Sequence, residues 1–130
     1  MYDSTLEARV AADLDLEVRA GLIDHWERQV RISFYVCLNC AKLSVAPRCP
    51  EHPVEKPTIL ATYVCDFKAY WKDGTTEFRE AKGVALDIFK FKWRMLEAIY
   101  GNDDNYRLTI VKEPNRVQWM FKGKNIKPKR

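Results

Sequence analysis

DFKAYWKDGTTEFREAKG, residues 66–83, has two segments rich in aromatic residues on either side of an Asp-Gly pair at 73–74. This arrangement is typical of a β-hairpin. Both arms nevertheless carry charges at strand positions, Asp66 on the first arm and Glu80 and Lys82 on the second. Because residues i and i+2 of a strand share a face, we expect Glu80 and Lys82 to project together, across the hairpin from Asp66.

The segments around this hairpin alternate between helical and strand patterns, without an internal repeat. Apolar residues at helical spacing predict two helices, and alternating or β-branched runs predict the strands. The order α-β-β-β-α-β predicts an α/β or α+β sandwich, in which helices flank a mixed sheet. The predicted elements are a helix over 2–23 that Gly21 ends, a strand over 28–36, hairpin strands over 58–71 and 76–83, a helix over 84–101 and a strand over 106–113.

The ends and buried faces of the two helices follow from the residue types. Asp3 or Ser4 can cap the first helix, whose core-facing residues are predicted to be Leu6, Val10, Leu14 and Val18. The second helix is predicted to turn one apolar stripe towards the sheet: Leu86, Phe89, Trp93, Leu96 and Tyr100.

Composition favours a single globular domain over residues 1–130. The chain is 47% hydrophobic and has a net charge of +4, which permits a nucleic-acid partner without requiring one. The segment 114–130 is predicted to be a basic, amphipathic or loose tail. We expect an intracellular protein without a membrane span, since no apolar run reaches the roughly 18 residues of a spanning helix and no signal peptide is apparent.

Residues 37–57 form a proline-rich excursion that contains a metal-ligand pattern. Cys37 and Cys40 are separated by two residues, as are Cys49 and His52. Three thiolates and one imidazole are a common closed tetrahedral set for structural Zn²⁺, and a reducing compartment leaves the thiols available. Free cysteines in a loop are the alternative. Cys65 falls outside this set and is predicted to be a core thiol.

The hairpin charges allow two interpretations. Carboxylates converging on one point repel each other unless a cation lies between them, and Mg²⁺ or Mn²⁺ is the usual cation. A lysine beside that metal can orient the attacking water or stabilise the charge that develops on a phosphate. The alternative is an ordinary cross-strand ion pair on a solvated sheet. Spacing alone leaves both interpretations open.

The order of several motifs resembles that of a known superfamily. Asp66 followed after thirteen residues by Glu80-Ala81-Lys82 resembles the D…(D/E)xK signature of the PD-(D/E)XK nucleases. YDSTLEARVAADL, GLIDHWERQV and FKFKWRMLEAIYG surround it in the order seen in small phage-encoded endonucleases similar to endonuclease I-type Holliday-junction resolvases. The resemblance covers about residues 2–112, apart from the cysteine-rich excursion. One departure is Cys65, which stands where the signature has proline.

This resemblance implies a restriction-endonuclease-like core and a set of site residues. Glu7, Asp66 and Glu80 would hold the catalytic Mg²⁺ or Mn²⁺, and Lys82 would be the catalytic lysine. The residues implied to contact DNA are Gln29, Lys90 and Lys92. Of the two lysines, Lys92 is the better placed.

The resemblance also implies an activity and a setting. The expected reaction is hydrolysis of DNA phosphodiesters, on branched DNA such as a Holliday junction, by a homodimer from a phage or prophage acting in the bacterial cytoplasm. Alternatives within the nuclease class are a site-specific homing or restriction-like enzyme and a nickase. The alternative of another class is a non-catalytic zinc-containing module that binds nucleic acid.

Overall fold

A six-stranded mixed sheet with one helix on each face forms the protein in this computed structural model. The structure describes residues 5–54, 56–82, 86–112 and, by backbone alone, 116–118. The elements are α1 (Thr5–Arg19), β1 (Ile23–Val36), β2 (Leu43–Ser44), β3 (Thr58–Trp71), β4 (Thr76–Ala81), α2 (Asp87–Tyr100), β5 (Tyr106–Lys112) and β6 (Arg116–Gln118).

The strands lie in the order β2-β1-β3-β4-β5-β6. Of the strand pairs in the described part of the chain, only β4–β5 is parallel, and α2 provides the crossover between these two strands. The predicted α+β class and the hairpin of β3 and β4 are confirmed. Two short strands were missed: β2, within the excursion, and β6, at the start of the predicted tail. The tail's other residues lie outside the described part of the chain.

The first helix ends where its glycine predicts. Gly21 has a φ of 81°, its amide donates to the carbonyl of Val18 at 3.0 Å, and the Leu22 amide donates to Glu17 at 3.0 Å. These two bonds form a Schellman motif, which terminates α1 and leads directly into β1. Strand β1 therefore starts at Ile23, five residues before the predicted start. The predicted caps, Asp3 and Ser4, lie outside the described residues.

The second helix buries most of its predicted stripe. Phe89, Trp93 and Leu96 are buried, as is Met95, and Tyr100 is partly buried against them. The prediction for Leu86 was wrong, because this residue precedes the helix at the N-cap position with extended backbone and is 64% exposed. A residue outside the helical backbone does not continue the helical stripe.

Two apolar clusters on opposite faces share the two long strands. The α1-side cluster includes Trp26 of β1 and Phe67 of β3, whereas the α2-side cluster includes Ile32 and Tyr63 from the same strands. Trp26 and Ile32 are an even number of residues apart on β1, and so are Tyr63 and Phe67 on β3. In a regular, flat pair of strands, residues at such spacing point to the same face. The two strands therefore turn over, that is, the faces on which alternate side chains lie exchange sides, between the paired residues Arg28–Phe67 and Val30–Cys65. Gln29, which lies between these pairs on β1, has a φ of 57°.

The α1 side of β4 carries a buried ionic network that the sequence analysis did not predict. Arg79 donates to both carboxylate oxygens of Glu77 at 2.9 Å and lies 3.1 Å from Glu17 of α1. The indole of Trp71 donates to Glu77 at 2.8 Å. Although burial opposes the charge of Glu77, the Arg79 guanidinium keeps the pKa of this carboxyl below its usual value. The network thus joins α1 to the sheet through buried ion pairs.

Substituting Arg79→Met should destabilise the fold by about 3 kcal/mol, because it leaves the Glu77 carboxylate buried without its cation. The double substitution Glu77→Leu with Arg79→Met should recover most of this loss, since no uncompensated buried charge remains. Urea unfolding of the three proteins measures both values. A double variant as unstable as Arg79→Met would contradict the electrostatic explanation.

Candidate active site and metal centre

The acids of the hairpin lie where the ladder between β3 and β4 ends. The last backbone pair in that direction is Phe67–Arg79. Beyond it, the Asp66 side chain accepts a hydrogen bond from the Ala81 amide at 2.9 Å, and the Asp66 amide donates to the Glu80 carboxylate at 3.3 Å. Side-chain bonds thus replace backbone bonds at this point, which brings two carboxyl groups into one gap between the strands.

Glu80 is held from three directions. One of its oxygens accepts hydrogen bonds from the hydroxyl of Tyr63 and the amide of Asp66, and the other lies 3.2 Å from the ammonium of Lys82. Only 2% of Glu80 is exposed. Burial and the neighbouring charges raise the pKa of Tyr63 well above its usual value, so the phenol remains a donor to Glu80. The predicted projection of Glu80 and Lys82 to one side is confirmed.

The electrostatics of Asp66 reflect a crowded acid. Burial, followed by the charge of Glu80, raises its pKa to about 7, although the Ala81 amide and Lys82 act in the opposite direction. One lysine ammonium therefore faces two carboxyl groups that would both be ionised in water. A divalent cation between these carboxyl groups would favour their ionised forms.

A cleft of about 340 Å³ opens beside these groups. Glu80, Lys82 and Tyr63 line it from the sheet, and Lys92 and Phe89 line it from α2. The Lys82 ammonium lies 4.5 Å from the centre of the Phe89 ring. Two lysines and one acid thus border the same open space, which gives an anionic group access to Lys82.

The structure separates the other predicted site residues. Lys90 is exposed and does not line this cleft, unlike Lys92. Gln29 is exposed and lies on the adjacent strand β1 between Arg28 and Val30, whose partners on β3 are Phe67 and Cys65 on either side of Asp66.

Glu7 is buried in the first turn of α1, with 7% of its surface exposed. It follows Leu6, which belongs to the α1-side cluster together with Ala81. Among the described residues, one group brings three or more Cys, His, Asp or Glu ligand atoms within 4.8 Å of one another. It consists of Cys37, Cys40, Cys49 and His52 and contains no acid. The three predicted acids are therefore not drawn together to that spacing.

The cysteine and histidine group is assembled as the sequence predicts. The ligand atoms of Cys37, Cys40, Cys49 and His52 all lie within 4.8 Å of one another. The separation is 3.7 Å between the sulfurs of Cys40 and Cys49, and the His52 Nδ1 lies 3.5 and 3.6 Å from the sulfurs of Cys37 and Cys49. A tetrahedron with Zn–S near 2.3 Å and Zn–N near 2.05 Å has edges of about 3.8 and 3.6 Å. The cluster is compatible with structural zinc.

Local turns bring these ligands together. The Cys37 amide donates to Lys42 at 3.0 Å, and the amide of Ala41, whose φ is 58°, donates to Cys37. The His52 amide donates to Cys49 at 3.1 Å, which closes the second turn. A left-handed alanine costs about 1 kcal/mol, so an interaction such as metal ligation must stabilise this turn. The hydrogen bond with His52 lowers the pKa of Cys49 to about 7, which favours the thiolate that a metal requires.

Two further residues, Cys65 and Tyr63, lie near the acids. Cys65 is fully buried in the α2-side cluster, as predicted for a core thiol, and burial raises its pKa well above the usual value. Tyr63 was missed as a partner of Glu80. Its aromatic ring in a strand is typical of the core, and the contact depends on the turning-over of the strands, which no local pattern predicts.

Comparisons with known proteins give no further guidance to function. No family model, no curated protein and no solved structure matches this chain. Within the described ranges, no helix is both long and apolar enough to cross a membrane. The function must therefore be argued from the side chains.

The stability of the protein in buffer without added divalent cations should fall as the pH rises from about 4 to 7. The folded state holds a proton on Asp66 up to its pKa of about 7, whereas the unfolded chain loses that proton near its ordinary value. Asp66→Asn should remove this slope, so that relative to the wild type it gains about 1.3 kcal/mol between pH 5 and pH 8, after halving for solvent screening.

Urea unfolding of both proteins at pH 5 and pH 8 measures this difference. Asp103→Asn, a change of an exposed acid beyond the end of α2, is the matched control. Parallel pH profiles for the wild type and Asp66→Asn would contradict a raised pKa at Asp66.

Proposed function

We propose that this protein is a divalent-metal-dependent DNA endonuclease of the PD-(D/E)XK type. The single observation that carries the proposal is the arrangement of Asp66, Glu80 and Lys82, which share one gap between adjacent strands beside an open cleft. The mixed sheet with a parallel β4–β5 pair and a helix on each face supports a restriction-endonuclease-like core.

The donor set suits Mg²⁺ or Mn²⁺, which prefer carboxylate oxygens and retain several waters. Asp66 and Glu80 would provide two of these oxygens, and Glu7 would provide a third if its side chain turns towards them from α1. When bound, the metal activates a water and offsets the charge that develops on the phosphate. The raised pKa of Asp66 supports the need for such a cation, because two ionised carboxylates in this gap repel each other.

Lys82 and Lys92 would have different roles in the reaction. Lys82, held 3.2 Å from Glu80 at the cleft, is positioned to orient the attacking water and to stabilise the developing negative charge. Lys92 on the opposite wall would bind a phosphate oxygen of the same strand. The water oxygen forms a new bond to phosphorus, the bond to the 3′ oxygen breaks, and the products are a 5′-phosphate and a 3′-hydroxyl. Gln29, which is exposed on the neighbouring strand β1, would contact the backbone of the same DNA.

The resemblance of the motif order to junction-resolving endonucleases favours branched DNA as the substrate. Symmetrical cleavage of two strands requires two active sites, which favours a homodimer. The same resemblance favours a phage or prophage protein that acts in the bacterial cytoplasm.

A cleavage panel tests the enzymatic proposal. Labelled duplex, single-stranded, flap, fork and four-way junction DNA are incubated with Mg²⁺ or Mn²⁺, and the products are resolved on denaturing gels. The wild type should cut branched DNA preferentially, whereas Glu80→Gln and Lys82→Ala should each lower the rate at least 100-fold, a loss typical of a removed transition-state contact. Glu97→Gln, an acid on α2 outside this site, is the control and should keep the wild-type rate.

DNA binding and folding of the variants separate loss of chemistry from loss of structure. The variants should keep the wild-type circular dichroism spectrum and DNA affinity. If the wild type binds DNA and cuts none of these forms with either metal, the alternative of a non-catalytic zinc-containing module replaces the nuclease.

We also propose that the Cys37, Cys40, Cys49 and His52 group holds a structural Zn²⁺. Four protein ligands leave no open position for a reacting water, so this metal stabilises the excursion rather than catalyses. Three of the six distances between the ligand atoms are 3.5 to 3.7 Å and all six are within 4.8 Å, which supports a tetrahedral ion of this size.

Metal analysis of protein purified without chelator should find about one zinc per chain, and Cys49→Ser should reduce this below half. Cys65→Ser is the matched control, since Cys65 is buried away from the group and should retain the zinc. A wild type that contains less than half an equivalent of zinc would contradict the structural role.

A further inference from the structure

The zinc-binding excursion borders a second, smaller pocket that no part of the proposed cleavage uses. Its volume is about 160 Å³, and it lies between the end of β1 and the loops that carry the ligands. Tyr35 and Val36 form one wall, and Pro47, Pro50 and Pro57 form others. The pocket is therefore lined mainly by apolar groups, among them three rigid proline rings and the planar ring of Tyr35.

The charged groups at this pocket are both positive. Lys42 and Lys56 line it and are exposed, and the described lining contains no acid. An apolar pocket between two ammonium groups is complementary to a ligand that has a planar uncharged part and flanking anionic parts. A nucleotide within a nucleic-acid strand has this chemistry, because its base is planar and a phosphate lies on either side.

The size of the pocket restricts the occupant further. Ligand sites for drug-sized molecules are usually roughly 300–1,000 Å³, so this pocket suits a single ring system and excludes a paired base. Bases of single strands stack on aromatic side chains, which makes Tyr35 the natural platform. Only an unpaired nucleotide can present its base in this way.

We infer that this pocket binds one unpaired nucleotide of a DNA strand, with the base against Tyr35 and the prolines and the flanking phosphates on Lys42 and Lys56. This deepens the proposed function and rests on it in one respect, that the partner is DNA. Unpaired nucleotides occur at forks, flaps and strand ends and are absent from intact duplex. The pocket would therefore give the protein a way to select branched DNA.

The position of the pocket sets the distance between the bound nucleotide and the proposed cleavage site at Asp66. Pro57 immediately precedes β3, and Asp66 lies eight residues beyond Thr58 on that strand. At 3.3 Å per residue this is roughly 25 Å, or about seven to eight nucleotides of a stacked strand. Cys37 and Cys49 line the pocket and also belong to the cysteine and histidine group, so a metal bound there would constrain the shape of the pocket.

Binding of short labelled oligonucleotides tests the inference. Fluorescence anisotropy is measured with a thymidine hexamer and with a hexamer of abasic residues, in buffer that contains neither Mg²⁺ nor Mn²⁺. The wild type should bind the thymidine hexamer at least five-fold more tightly than the abasic one. The double variant Lys42→Ala with Lys56→Ala should weaken binding at least ten-fold and lower the slope of log K against log salt by about 1.4, or about 0.7 for each lost phosphate contact.

The control variant is Lys72→Ala, because Lys72 is an exposed lysine at the opposite end of β3. It should bind both hexamers as the wild type does. Equal affinity of the wild type for the two hexamers, or equal losses in the double variant and in Lys72→Ala, would overturn the inference. Zinc analysis and circular dichroism of the double variant exclude a folding defect.

The two proposals fail separately. Cleavage of branched DNA by a protein that does not distinguish the hexamers would overturn the pocket and leave the nuclease standing. Selective binding of the thymidine hexamer by a protein that cuts no DNA supports the pocket and overturns the nuclease.

Discussion

The turning-over of the β1–β3 pair at Gln29 and Asp66 is the constraint on which the rest of the structure depends. A flat pair would place Trp26, Phe67, Ile32 and Tyr63 on one face, and one of the two helices would then lose its contacts with these large apolar side chains. The same irregularity coincides with the parting of β3 from β4, because the ladder between them ends at Phe67. One local distortion thus serves both the core and the candidate site. Strain at functional sites commonly takes this form.

The gap beyond Phe67 explains why charged residues occupy strand positions. The Asp66 carboxylate replaces a backbone acceptor for the Ala81 amide, and Glu80 accepts the amide of Asp66. An apolar residue at either position would leave one of these amides without an acceptor where the ladder is open. Burial, followed by the charge of Glu80, raises the pKa of Asp66 to about 7. The acids are therefore structural partners of the backbone in the metal-free protein, and their mutual repulsion leaves a demand for a cation.

Sequence patterns predicted the features that depend on neighbouring residues. The hairpin, the Gly21 helix end and the cysteine and histidine group all follow from spacings of a few residues, and all are present. Leu86 was misplaced because apolar spacing does not show where a helix begins. The Tyr63–Glu80 contact and the Glu77–Arg79 pair were missed because they depend on which way a strand faces. Glu7 illustrates the limit most clearly, since its burial fits the predicted role while its approach to Asp66 depends on packing between α1 and the sheet.

The metal group and the acid gap are linked through the same two strands. Val36 pairs with Thr58, so the ends of β1 and β3 enclose the whole excursion, which would otherwise be a long loop with a substantial closure cost. Cross-linking Cys37 at the end of β1 to Cys49 and His52 divides this loop into shorter ones and reduces the freedom of the unfolded chain. The same cross-link would stabilise the pairing of β1 with β3, and Gln29, with its left-handed backbone, lies near the centre of this pair. A metal bound at one end of β1 and β3 would therefore support the unfavourable backbone of Gln29 further along the same strand pair.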